Sequence, residues 1–149
     1  MKYSEESKTI STHLLFPRHS NGWHKLFGGQ MLEWIDEIAG IVGNRHSGAY
    51  VVTAGLHNIA FHKPAELTDI ITLEAKVCNV GKSSMDIVVR SFAEKIGGPK
   101  ELINTAYATM VAVDDNGKPI PVPPLAITQD IQEDHDFVRK HKEWKTSLQ

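Results

Sequence analysis

One long apolar helix followed by four long alternating strands has few ways to bury itself, and that order dominates this sequence. From Gly28 to His46, the residues Met31, Leu32, Trp34, Ile35, Ile38, Ala39, Ile41 and Val42 put apolar side chains on nearly every side of a helix. Such a helix is enclosed by its protein rather than laid on a surface. At 1.5 Å per residue it spans roughly 28 Å. After Gly48 the period drops to two. Tyr50 to His62 is a β-rich run that stops before Pro64. Between Ile70 and Val80, Ile71, Leu73, Ala75 and Val77 share one face and Thr72, Glu74 and Lys76 the other. From Ser84 to Glu94, Met85, Ile87 and Val89 oppose Asp86 and Arg90, and Leu102 to Val113 is a fourth run. Alternation over such lengths predicts strands.

The connectors say how these strands pair. Gly81-Lys82 and Gly97-Gly98-Pro99 carry turn chemistry and predict hairpins, hence antiparallel neighbours. A shorter run, Thr9 to Phe16, predicts another strand, after a polar stretch over residues 1–8 that should fray. The expected class is therefore α+β: a curved antiparallel sheet of about five strands wrapped round a central helix. A sheet of that size has edges to protect, which pairing with a second copy would achieve. Beyond Val113, Pro119 to Pro124 cannot join a ladder. Thr128 can cap a final helix reaching about Trp144, with Asp130, Glu133 and Asp134 early and Arg139, Lys140 and Lys142 late, as the helix dipole favours.

The chain of 149 residues suits one domain, here divided into a main unit over 1–125 and a helical extension over 126–149. A net charge of −2 gives no pull towards nucleic acid or an anionic membrane. Cys78 is alone, so no internal disulfide forms. No signal-like apolar run opens the chain and no stretch suits a membrane helix, which makes the cytoplasm the expected location.

Three places could do chemistry. Gly28 and Gly29 stand where the buried helix begins. The first amides of a helix lack internal partners and its dipole makes that end positive, so an oxyanion would be stabilised there. The same pair also suits nothing more than a tight turn into the helix. Asp36 lies about two turns further on, among Leu32, Trp34, Ile35 and Ala39. A carboxylate inside an apolar helix is costly unless it has partners or a task, although Glu33 and Glu37 could place it on a solvated stripe. Asn21 offers a carboxamide for a water or a carbonyl, or serves its Asn-Gly turn. His13, His19 and His24 lack the spacing and acidic or thiol partners of a metal site, so no metal is expected. His57 and His62 read as packed or edge residues of a strand, and Cys78 has no flanking base. Lys82-Ser83-Ser84 offers one cation and two hydroxyls at a turn, fit for a phosphate or simply for solvent.

The segment Asn21…Phe27-Gly28-Gly29-Gln30-Met31…Asp36 resembles the signature of hotdog-fold acyl-CoA thioesterases, the cytosolic acyl-CoA hydrolase family. Three further stretches match in order: Phe61-His62-Lys63-Pro64, then Val80-Gly81-Lys82-Ser83-Ser84-Met85, then Val111-Ala112-Val113-Asp114…Gly117-Lys118-Pro119…Val122-Pro123. The match covers about residues 9 to 125. The resemblance implies the hotdog fold, a homodimer sharing two sites, and often a trimer of such dimers. It implies hydrolysis of acyl-CoA to free acid and CoA, with no separate cofactor because CoA belongs to substrate and product. By the same resemblance the catalytic aspartate is Asp36, acting as general base or nucleophile. The loop asparagine is Asn21, and the amides receiving the thioester oxygen lie near Gly28 and Gly29. Contacts to substrate or CoA fall on Phe27, Thr53, Lys63, Gly81, Lys82, Ser83 and Ser84. In one respect the chain departs from the pattern. Many relatives have glycine three residues after the asparagine, and here that residue is His24. Two rivals share the fold: an enoyl-thioester hydratase using His24 or His57, and a CoA-ligand sensor that would not need Asp36.

Overall fold

The computed structural model describes residues 1–147, with side chains through residue 143, so the last two residues of the expected C-terminal extension lie outside the described residues. Helix α1 (Gly28–Ser47) is followed by β3 (Tyr50–Phe61), β4 (Ile70–Val80), β5 (Ser84–Glu94) and β6 (Lys100–Val113), and preceded by β2 (Thr9–Leu14). These five strands form one antiparallel sheet in the order β2-β4-β5-β6-β3. Two short strands, β1 (Lys2–Tyr3) and β7 (Leu125–Ala126), pair in parallel, and α2 (Gln129–Ser147) ends the described chain. The long helix, the five-stranded antiparallel sheet and the C-terminal helix are those expected from the sequence.

The sheet curves round α1, as the alternation requires. Ile71, Leu73, Ala75, Val77, Met85, Ile87, Val89, Ala106, Ala108 and Met110 are buried, with Met31, Trp34, Ile35, Ile38, Ala39 and Val42 of α1 in the same core. Gly43 has a packing role: a Cβ there would lie 3.3 Å from Val51 and 3.4 Å from Met110. Gly48 ends the helix in the left-handed region, φ 69°, with its amide on Asn44 O.

One expectation needs correction. Residues 1–8 do not fray. Lys2 N donates to Pro124 O at 2.9 Å, Ser4 and Ser7 are buried, and Lys2 Nζ reaches His46 O at 3.0 Å. The polar composition hid a strap that depends on the chain's other end. The polar face of β4 to β6 is covered by α2. Asp134 on α2 accepts two hydrogen bonds from Arg90, at 2.8 and 2.9 Å, and one from Tyr107 Oη at 2.8 Å. Asp86, fully buried, accepts from Asn79, Thr109 and Lys142. Burial alone would raise the Asp134 carboxyl, but the bonds from Arg90 and Tyr107 outweigh it and hold the group below the usual carboxylate range. Burial pushes the Cys78 thiol up, consistent with an inert core residue. Thr128 precedes α2 as expected, but its hydroxyl donates to the Asp130 carboxylate, and its carbonyl takes the Ile131 amide.

Candidate active site

The loop before α1 is built to leave the helix start open. Leu26 N donates to Ala65 O and Phe27 N to His19 O, both at 2.8 Å, so the chain is pinned just before it turns. Phe27 is the N-cap residue with extended backbone, and it offers no side-chain acceptor. The first intrahelical bond is Met31 N to Phe27 O. Among the described residues, the amides of Gly28, Gly29 and Gln30 therefore meet no acceptor. A Cβ on Gly28 would touch nothing within 4 Å, whereas one on Gly29 would sit 2.5 Å from the Phe27 ring. Gly29 thus makes room for Phe27, and Gly28 leaves open space over unpartnered amides. A groove runs past this point, lined by Asn21, Leu26, Gly28, Phe61 and Lys63 among others.

Asn21 spends half of its carboxamide on the loop. Its Oδ1 accepts from Trp23 N at 2.8 Å and Lys25 N at 3.2 Å, closing the turn, and only the Nδ2 donors remain for a ligand. His24 lies three residues further on with φ 60°. His24 thus takes a left-handed backbone that glycine adopts more readily than a residue with a side chain.

Asp36 lies two turns into α1 and is half-buried. Thr53 Oγ1, from β3, donates to Asp36 Oδ1 at 2.7 Å, and Oδ2 has no partner among the described residues. The pair reaches across from helix to edge strand, which sequence spacing alone could not reveal. Asp36 lies six to eight residues beyond the free amides of Gln30, Gly29 and Gly28 on the same helix, so roughly 9–12 Å of axial rise separates their backbone positions.

The other expected contacts fall into separate groups. Lys63 closes the groove and pairs with Glu101 at 3.4 Å, an exposed contact. The turn carrying Gly81, Lys82, Ser83 and Ser84 sits at the far end of the sheet. Ser84 pairs with Val111, whereas Phe61 pairs with Asn104, and those β6 positions are about 23 Å apart. Within one chain the structure therefore joins Asn21, Phe27, Gly28, Gly29 and Lys63, joins Asp36 with Thr53, and leaves the Gly81–Ser84 turn remote from both. Reading the sequence missed His19, which is buried and holds the loop through Phe27 N and Phe16 N. Its partners come from the fold, and no local pattern signals them. Among the described residues no cluster of His, Cys, Asp or Glu is arranged to hold a metal ion.

The Thioesterase superfamily profile matches residues 24–100. A Bacillus subtilis (strain 168) protein named uncharacterized acyl-CoA thioester hydrolase YkhA is 41% identical over 123 residues, covering 82% of this chain and 72% of its own. The chain belongs to the thioesterase superfamily. Solved members of that superfamily share its architecture. The acyl-CoA hydrolase from Staphylococcus aureus, in complex with butyryl coenzyme A, coenzyme A and coenzyme A disulfide, superposes with a TM-score of 0.91 at 34% identity, over 99% of this chain and 91% of that one. Structures of the same hydrolase carry alanine in place of an aspartate, a threonine or an asparagine. A hexameric acyl-CoA thioesterase superposes with a TM-score of 0.92 at 33% identity, over 99% and 97% of the two chains. This is the hotdog fold of the thioesterases.

Proposed function

We propose that this protein hydrolyses acyl-CoA thioesters to free acid and CoA, at a site completed by two copies of the chain. The observation that carries the reading is Asp36, held by Thr53 with one carboxylate oxygen free, on the same helix whose first amides are left unpartnered. Two further points support it. The asparagine, aspartate and threonine replaced in the Staphylococcus aureus hydrolase are spaced by 15 and 17 residues, the intervals that separate Asn21, Asp36 and Thr53. Of the two imidazoles the rival hydratase could use, His57 points to the opposite face of the sheet, stacked between Tyr107 and His141, and His24 is exposed on the loop before α1.

The second copy follows from distance and from the exposed edge. Own-chain amides are too far from Asp36 to share one carbonyl with it. β3 is an edge strand of 12 residues, and Tyr50, Val52 and Phe61 on it are exposed. Asn58 on the same strand has a buried Nδ2 without a partner among the described residues. Antiparallel pairing of β3 with its copy lays the Tyr50 end of one strand along the Phe61 end of the other. That carries the partner's helix start towards Asp36 and Thr53, and the Gly81–Ser84 turn towards the partner's groove, where Lys82 and Lys63 can meet the phosphates of CoA. Such dimers assemble further, as the hexameric relative does. In this reading residues 1–125 form the hotdog unit and 126–149 a C-terminal extension, and the enzyme works in the cytoplasm.

The reaction then proceeds in two movements. The thioester oxygen sits on the free amides at Gly28 and Gly29 of one chain, and Asp36 of the other takes a proton from water as that water attacks the carbonyl carbon. The tetrahedral oxyanion collapses, the C–S bond breaks, and the CoA sulfur leaves as thiolate and is protonated. Thr53 fixes the carboxylate rotamer, and Asn21 Nδ2 donates to the water or the carbonyl. CoA is substrate and product, and no other cofactor is required.

The test is thiol release from a panel of acyl-CoAs. Asp36→Asn should lose about 10²–10⁴-fold in kcat while still binding CoA. Wild-type rates from that variant, or hydration of an enoyl-CoA without thiol release, would overturn the reading.

A further inference from the structure

Two polar side chains in the core have no partner. Ser91 and Asn104 are each 0% exposed, and Ser91 Oγ, Asn104 Oδ1 and Asn104 Nδ2 meet no hydrogen-bonding group among the described residues. Buried polar atoms left unpaired cost about 1–3 kcal/mol each, so three in one place call for an explanation. They are adjacent by register. Ser91 on β5 pairs with Asn104 on β6, and Asn104 pairs with Phe61 on β3. Directly paired residues point to the same face, and this row shares the face of Met85, Ile87, Met110 and Ala108, the one packed against α1. Phe61 at the end of the row lines the groove that contains Gly28 and Asn21. With strands about 4.8 Å apart, Asn104 lies one strand behind the groove wall and Ser91 two.

We propose that Ser91 and Asn104 form an oxygen-binding subsite behind Phe61, at the inner end of the acyl groove. The proposal rests on the thioesterase reading above. A hydroxyl, an amide donor and an amide acceptor together satisfy one small neutral oxygen that both gives and takes hydrogen bonds. Two sources supply it: a hydroxyl on the acyl chain, or a resident water left in place beneath a plain alkyl chain. The acyl hydroxyl makes Asn104 a specificity-determining residue, because a site built to bond a hydroxyl discriminates against the chain that lacks it.

The experiment compares thiol release from plain acyl-CoAs and hydroxyacyl-CoAs of matched length, with the hydroxyl moved along the chain, using the wild-type oligomer, Asn104→Leu and Ser91→Ala. If the substrate supplies the oxygen, one hydroxyl position gives kcat/KM about tenfold or more above the plain chain, and both variants bring that ratio towards one. If water supplies it, the ratio is near one throughout, and a crystal structure of the wild type shows an ordered water between Ser91 Oγ and the Asn104 amide. The proposal is overturned if the ratio is near one and the crystal structure shows the two side chains bonded to each other or to backbone. Ser91→Ala, a small change, keeps the test valid should Asn104→Leu not fold. Absence of thiol release from any plain or hydroxylated chain would instead sink the thioesterase reading.

Discussion

At the scale of the residue, Gly28 separates the work of an amide from the work of a side chain. Pro is accommodated at the first position of a helix, and Phe27 already has the extended backbone that must precede it, φ −70° and ψ 129°. Gly28→Pro should therefore keep α1 and lose one donor, lowering kcat by about 10²–10³-fold. Gly28→Ala, which keeps the N–H and meets open space, should retain most of the activity; equal losses in the two variants would assign Gly28 to packing. His24 makes an opposite case. Its φ of 60° is strained for a side-chain-bearing residue, so His24→Gly should raise stability by about 0.5–1 kcal/mol, read as an increase in Tm. His46 sets a pH dependence. It is buried, with Nδ1 unpartnered among the described residues and Nε2 near Pro123 O at 2.9 Å, and burial lowers its pKa from the ordinary 6.5. The unfolded chain thus takes up a proton that the folded chain resists. Stability should be full above pH 6.5, fall as the pH drops below it, and level off beneath the folded pKa. His46→Gln should flatten part of that slope in thermal melts, and an unchanged slope would remove His46 from the account.

At the scale of the element, α1 and the four long strands were legible because their periodicity is strong and local. Met31 to Val42 reads as a buried helix whatever surrounds it, and the strand from Ile70 to Val80 shows its inner face directly. What could not be read depends on contacts far apart in the chain. Lys2 and Tyr3 look frayed until Leu125 and Ala126 stand beside them. The partners that α2 brings to Asp86, Arg90 and Tyr107 have no local signal either. The site divides in the same way. Gly28, Gly29, Asp36 and Asn21 lie in one continuous segment that carries its own pattern, whereas the bond from Thr53 to Asp36 and the row Phe61–Asn104–Ser91 exist only through strand register. The α2 brace makes its own prediction. Removing one member of a buried charged pair leaves the other uncompensated, and Arg90 keeps some access to water, which moderates the loss. Asp134→Ala should cost about 2–3 kcal/mol in denaturant unfolding. A change below about 0.5 kcal/mol would mean that α2 adds nothing to the sheet.

At the scale of the whole molecule, the distances within one chain argue that a single copy is incomplete. Asp36 with Thr53, the amides at Gly28, and the Gly81–Ser84 turn occupy three separate regions of the protomer. A two-fold axis through β3 is the simplest operation that brings them together, and it also covers an exposed strand edge. Complementation between two defective variants measures this directly. Asp36→Asn and Gly28→Pro, each nearly inactive alone, are co-refolded in equal amounts. If every site takes its carboxylate from one chain and its amides from the other, half of the dimers are mixed and each contains one intact site. Thiol release should then return to about a quarter of the wild-type rate. If both groups of a site come from the same chain, every site in the mixture keeps one defect, and no activity beyond that of the separate variants would appear.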